Sequence, residues 1–378
     1  TDNKNKLDEY HTTYPKQASE EEGFLYAQTL SGEGDIVVKN IHQRPQGYFV
    51  ITESRCAFGD ITAKVQTIVV FFCDSLGAIT KFLPISTRLP MTFLASKVTA
   101  DGLVILAKTS ENSYLITVNT DLTDYSTSML PAADNGNFFL YGNECLTFLE
   151  GSQNTLHYKS SVAFLPSGKI VAVFGFSDHI KIFLNTNSGY SVISCNNRMQ
   201  ITERINVLGD SIACINPIVE NGVQKYLVVE KGIETTVYKF DGAFRKDTAE
   251  KAPLGSGGDV KMYPAASGIM MVFSGRQGGV YMLSNDLEVT VTNSELFSSA
   301  TNVYDSVRYA GGYYFLVETL SGLSLVDLRL DTTTASKPIG MNSEKAFIGL
   351  NANGTISIFY NAEKNGKTYV KILGSAIV

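Results

Sequence analysis

The sequence predicts an all-β chain, and three observations carry the prediction. Charged residues make up only 18% of the 378 positions, too few to wet the outer faces of many amphipathic helices. Tyr, Phe, Val, Ile and Thr, which suit a pleated and half-buried surface, are abundant, and Trp is absent. Short apolar runs recur along the whole chain, each bounded by Gly, Pro, Asn, Asp or Ser clusters that set turns.

The fullest copy of the recurring unit runs from Val260 to Glu288. It reads as a short strand, a Pro-Ala-Ala-Ser-Gly corner, the apolar strand Ile-Met-Met-Val-Phe, a Gly-rich hairpin, a further strand and an Asn-Asp turn. A strand apolar on both faces has to be covered on both faces, so one copy is unstable alone and needs neighbours on each side. That is the logic of a blade in a β-propeller. Eight blades are counted, with seven blades and an inserted hairpin as the alternative.

Taken in order, residues 1–22 (TDNKNKLDEYHTTYPKQASEEE) are polar and charged and predict a flexible leader. Beginning without Met, this stretch is read as the tether left after removal of a signal or lipoprotein peptide, or as a shortened chain. Residues 24–30 and 36–41 are two strands joined by Ser-Gly-Glu-Gly, ahead of the first full unit. The strands expected to line the central axis are 48–52, 103–107, 137–141, 169–174, 211–215, 269–273, 313–317 and 355–359. Residues 128–142 (SMLPAADNGNFFLYG) imitate 261–275 (KMYPAASGIMMVFSG) and are read as a separate short blade. The last unit, 353–360 and 368–373, lacks its two outer strands. The two strands near the N-terminus are expected to supply them, closing one domain over 23–378 and removing open sheet edges.

The strands Gly-Tyr-Phe-Val-Ile (47–51) and Gly-Gly-Tyr-Tyr-Phe-Leu-Val (311–317) are each followed by a strand and an Asp/Asn-x-x-Gly-like turn. In this the chain resembles extracytoplasmic bacterial β-propeller repeat proteins over residues 23–378. The resemblance implies the architecture and a cell-surface or secreted location, with the cytoplasm as the alternative, and it implies no substrate. The signature residues of WD, kelch, pyrroloquinoline-quinone and sialidase repeats are missing.

Function is bounded mainly by exclusion. A net charge of −6 repels phosphate backbones and anionic lipid, which argues against nucleic acid as a partner. No apolar run reaches the roughly 18 residues of a transmembrane span. Cys56, Cys73, Cys145, Cys195 and Cys214 have no metal-ligand spacing; Cys73, Cys195 and Cys214 sit in apolar runs and read as buried thiols, a Cys195–Cys214 bridge being the alternative. His11, His42, His157 and His179 are isolated from one another, His11 in the leader and the rest read as surface residues at strand ends. Gly175-Phe-Ser-Asp-His179 leads into a strand rather than a helix and so reads as a hairpin, not a nucleophile elbow. Gly255–Gly258 reads as a linker and Gly275–Gly279 as a hairpin tipped by Arg276. No catalytic residue, metal site or cofactor is assigned.

Acidic and amide residues mark the turns. Asp74, Asp121, Asn187, Asp241, Asp286 and Asp331 follow second strands of units, while Arg44, Asp101, Asp134, Asp210, Ser267 and Asn353 stand at corners. Local hydrogen bonding within turns accounts for such residues in general. The functional expectation is that Arg44, Asp101, Asp134, Asp210 and Asn353 face a common concavity and grip a neutral or zwitterionic polar ligand, whether small molecule, glycan or protein. The chain is accordingly read as a monomeric binding or scaffold propeller. The alternative is a propeller enzyme of glycoside hydrolase or lyase type, whose carboxylates come from different blades and converge to about 5–10 Å.

Overall fold

Turns, many of them built on Gly, Asn or Asp, reverse the chain between strands, and each unit folds into a four-stranded antiparallel meander. The computed structural model describes residues 24–55, 65–85, 88–255, 259–265, 268–275, 278–292, 297, 299–330 and 333–375. The leader, Cys56, Ser267, Arg276 and Asp331 lie outside the described residues. Eight such sheets form a ring, with blades over 36–85, 92–130, 135–164, 169–208, 211–255, 259–292, 300–340 and 346–375. The short third blade is thus a blade in its own right. Tyr26–Leu30 adds to the last blade as its fourth strand, antiparallel to Lys367–Ser375, and so joins the two ends of the chain.

Two expectations are corrected. Only one N-terminal strand completes the last blade, because Ile36–Arg44 pairs with Gly47–Ser54 and opens blade 1. Of the eight strands expected on the axis, only those within Asn135–Tyr141, Lys169–Gly175 and Ser211–Glu220 are first strands; the other five are second strands. The first strands of successive blades approach one another around the axis. The reason for the shift is physical. A second strand lies between two strands of its own sheet and is covered on both faces by neighbouring blades, so Gly47–Ser54 is buried throughout. A first strand borders the channel and alternates with wetter positions, as Ile36–Arg44 does. Double-sided burial therefore marks the second strand, not the innermost one.

The core lies between blades. Phe49, Ile51, Ile68 and Val70 of blade 1 pack on Leu103, Ile105, Ile116 and Val118 of blade 2, and comparable clusters join each later pair. Each such fully buried side chain contributes about 1.5–3 kcal/mol relative to exposure. The ring closes through Tyr48, Val50 and Phe71 of blade 1 against Phe359, Val370 and Ile372 of blade 8. The slightest cluster, Ala95, Leu106, Phe138 and Leu149, joins blade 2 to the short blade 3. Glycine opens many second strands for a steric reason. At Gly102 (φ 144°) a Cβ would stand 2.1 Å from the carbonyl oxygen of Val118, and at Gly268 (φ 143°) 2.2 Å from that of Leu283.

A polar clasp recurs at three blade boundaries. First strands carry β-bulges at Val38/Asn40, Phe93/Ala95 and Ile212/Cys214, where ladder pairing is locally interrupted. At each bulge the backbone N–H donates to a side chain on the second strand of the preceding blade: Val38 to Asn361 (2.8 Å), Phe93 to Glu53 (2.7 Å) and Ile212 to Asn185 (2.8 Å). Asn361 and Asn185 also donate back, to the Val38 carbonyl at 3.3 Å and the Ile212 carbonyl at 2.9 Å. Replacing buried Asn361 by Leu leaves both groups of Val38 unpaired, which should cost about 1–3 kcal/mol. A urea unfolding midpoint indistinguishable from that of the parent would refute the clasp.

Cys73, Cys145, Cys195 and Cys214 are all free thiols, so the Cys195–Cys214 bridge does not form. Burial pushes Cys195 up to about 11 and Cys214 up to about 12, and holds Cys73 well above its ordinary value. The thiolate is the reactive form. Iodoacetamide at pH 8 should therefore leave these three unlabelled in the folded protein and label them in guanidinium, as read by mass spectrometry.

Candidate functional site

Each blade has an even number of alternating strands, so every crossover to the next blade returns to the same face of the ring. First strands therefore all start on one face and end on the other. This places the five expected site residues. Arg44 ends the first strand of blade 1, Asp101 follows that of blade 2, and Asn353 follows that of blade 8; Asp134 and Asp210 precede the first strands of blades 3 and 5. Three lie on one face and two on the opposite face, and they do not meet in one concavity. Locally, the Arg44 guanidinium stands over the Phe49 ring at 5.1 Å. Asn353 spends its oxygen on its own turn, accepting from Thr355 N at 3.1 Å and Thr355 Oγ1 at 2.6 Å. Asp74 likewise accepts from the backbone of Leu76 and Ala78, both at 2.9 Å.

The channel opens into a cavity at each end. At the end where first strands begin, a cavity of about 470 Å³ is lined from blades 8 and 1 to 4, among others by Lys345, Lys39, Ser96, Asn135, Asn137 and Lys169. This lies within the usual ligand-pocket range of about 300–1,000 Å³. At the other end a cavity of about 490 Å³ is more apolar, bordered by Phe138, Leu140, Phe174 and Phe176 with Lys97 and Gln224. Phe139 borders both.

The first mouth is built by the bulged strands and their clasps. The Lys39 ammonium lies 3.5 Å from the Glu53 carboxylate, which is already held by Phe93 N and by Gln66 Nε2 at 3.0 Å. Asn40, Asn135 and Asn137 share one arrangement. Each turns its amide oxygen onto the next backbone N–H, of Ile41 (2.9 Å), Gly136 (2.9 Å) and Phe138 (2.8 Å). The amino groups are thereby left as donors, that of Asn40 reaching Ser96 Oγ at 2.8 Å. Sequence reasoning missed these residues because it sought them in turns rather than in strands.

His42 is not a surface histidine. Its Nε2 lies 2.8 Å from Ser96 Oγ, and burial, then the charges of Lys97 and Arg44, hold it down at about 4. A serine within reach of an imidazole is the geometry of a nucleophile and its base. Here the base is weak, and no hydrogen bond orients its Nδ1 among the described residues. His179 stacks on Phe176 at 4.7 Å and bonds Asp178 at 2.7 Å, and His157 bonds Thr155 at 2.9 Å. Among the described residues no group of three or more His, Cys, Asp or Glu side chains could hold a metal, and no helix is long and apolar enough to cross a membrane.

No protein-family model and no curated protein sequence matches the chain. Among solved structures it is similar to a prolyl endopeptidase, with a TM-score of 0.54 and 11% identity over 87% of this chain and 55% of that one. It is also similar to a eukaryotic initiation factor, with a TM-score of 0.52 and 11% identity over 93% of this chain and 90% of that one. The chain spans about half the length of the prolyl endopeptidase it matches. At such identities the likeness is one of fold alone.

Unfolding exposes His42 to solvent, where its ordinary value is 6.5 against about 4 in the fold. As pH falls from 6.5 towards 4 the unfolded chain gains a proton that the native state does not, so stability is lost across that window. His42→Gln should lose less stability between pH 7 and pH 4.5 than the parent, measured by urea unfolding at the two pH values; equal losses would show that His42 is not a source of acid sensitivity.

Proposed function

We propose that the chain is a binding propeller whose ligand, a small polar molecule, enters the channel mouth built by the first strands of blades 8 and 1 to 4. The observation that carries this reading is the convergence of Lys39, Lys169, Lys345, Asn135 and Asn137 from four blades onto one cavity of about 470 Å³. A few placed polar groups among aromatic walls is the usual make-up of a small-molecule site. Supporting it, Phe93, Phe139 and Phe347 are only half-buried and border the same cavity. The packed blades hold these strands rigidly, so the site is formed before the ligand arrives.

A thermal-shift screen of sugars, sugar acids and amino acids tests the reading. A ligand at 100 times its dissociation constant stabilises by about 2.7 kcal/mol, a shift of several degrees. At least one compound should raise the melting temperature, and Asn137→Trp, which fills the mouth from an exposed position, should abolish the effect. A shift that survives Asn137→Trp and disappears in Lys97→Ala would move the site to the opposite mouth.

A further inference from the structure

The first mouth is rich in hydrogen-bond donors and poor in acceptors. Lys39, Lys169 and Lys345 all border it, while Glu150 is the only carboxylate in its lining among the described residues. Lys39 is matched by Glu53. Lys169 and Lys345 are exposed and form no ion pair among the described residues. The oxygens of Asn135 and Asn137 are taken by their own backbone, which leaves their amino groups as donors, that of Asn135 reaching Glu150 Oε2 at 3.5 Å. A small ligand satisfying such a surface must bring acceptors and negative charge. Desolvation, then the neighbouring Lys39, pushes Lys345 below its ordinary value, with Glu344 and Glu53 opposing.

The walls add a second constraint. Phe93 and Phe347, half-buried and packed partly on the interblade cores, line the cavity from the blades on either side of Lys39 and Asn40, apolar surface suited to the C–H side of a sugar ring rather than to a bare inorganic ion. Hydroxyls accept from amide donors, and a carboxylate accepts from ammonium groups with the added strength of a charge-assisted bond. Resting on the binding function proposed above, we infer that this mouth takes a sugar acid, a polyhydroxylated molecule with one carboxylate. The neutral or zwitterionic ligand expected from the sequence presumed that the aspartates Asp101, Asp134 and Asp210 meet in one concavity, and the ring divides them between its faces.

The test compares glucuronate, galacturonate and gluconate with glucose, galactose and sorbitol at equal concentration, together with inorganic phosphate, on the full chain. A sugar acid should raise the melting temperature while its neutral counterpart and phosphate do not. Calorimetric affinity for that acid should fall on the order of tenfold or more in Lys169→Gln/Lys345→Gln, and should weaken as salt is raised. Both lysines are exposed, so the double variant should keep the parent's unliganded melting temperature. Neutral sugars binding as well as the acids, with the effect removed by Asn137→Trp, would overturn the sugar acid and leave the binding function standing. Phosphate matching the acids would overturn the sugar component. No compound binding at all would overturn both, as would acid binding indifferent to the lysine and Asn137 variants.

Discussion

The ring depends on strands that are apolar on both faces. A strand such as Gly47–Ser54 or Gly312–Thr319 cannot be covered by its own sheet and must be sandwiched by two others. Every blade is in the same position, so the only arrangement without an uncovered face is a closed circle. Closure is then a matter of the ends. Tyr26–Leu30 brings the N-terminal segment onto the last blade, and the Tyr26 hydroxyl bonds Ser357 of blade 8 at 2.8 Å and the Ser75 carbonyl of blade 1 at 3.1 Å. Tyr48 of blade 1 reaches Asn351 of blade 8 at 2.6 Å. Both rings pack directly against glycine: a Cβ at Gly374 would stand 2.0 Å from the Tyr26 ring and one at Gly349 2.2 Å from the Tyr48 ring. The seam is buried, aromatic and hydrogen-bonded, which resists opening better than an edge pairing alone.

Packing at the second strands frees the first strands for other work. Their outer neighbours carry the apolar burden, so Ile36–Arg44 can hold Lys39, Asn40 and His42 without forfeiting the core. The bulges turn this freedom into geometry. An extra residue in the strand re-aims the side chains beside it, and the carboxamide or carboxylate of the preceding blade fixes the bulged backbone in place. Lys39 lies within one such bulge and Ser96 one residue past another. The clasps that join blades are thus also what shapes the channel mouth. Asp305 extends the theme: it sits at a bulge in blade 7, accepts from Ile348 N of blade 8 at 2.9 Å, and is pushed above its ordinary value by burial.

Much of the fold was legible because its cause is local. Turn residues and apolar runs set strand number and the separateness of the blade at 135–164, and incompleteness of the last unit pointed to closure through the termini. The order of strands within a blade was misread by one place for most units, since double-sided burial was equated with the centre of the ring. The site was less legible. Turn aspartates attract notice in a sequence, yet Asp74 and Asn353 serve their own turns. The mouth is made instead from Lys39, Lys169, Lys345, Asn135 and Asn137, residues more than a hundred positions apart at the extremes. Nothing in their neighbourhoods along the chain marks them. A register that puts first strands at 36–44, 92–99, 135–141 and 169–175 would have gathered most of them on one axis.

Charge distribution shows why composition misleads at this scale. The chain carries a net −6, but the reach of its outer charges is limited by salt to about a Debye length, roughly 8–10 Å. Within the channel that total is irrelevant. First strands carry Lys39, Arg44, Lys97, Lys169, Lys261 and Arg308 against Glu220, Asp259 and Asp305, so the axis is basic inside an acidic ring. Low-dielectric walls concentrate the field of those lysines into the mouth while the outer carboxylates are screened by solvent. An extended polyanion would meet the outer surface first and be repelled, whereas a small anion can pass the rim and experience mainly the lysines. Under the binding function proposed above, selection by size and selection by charge would come from the same arrangement of strands.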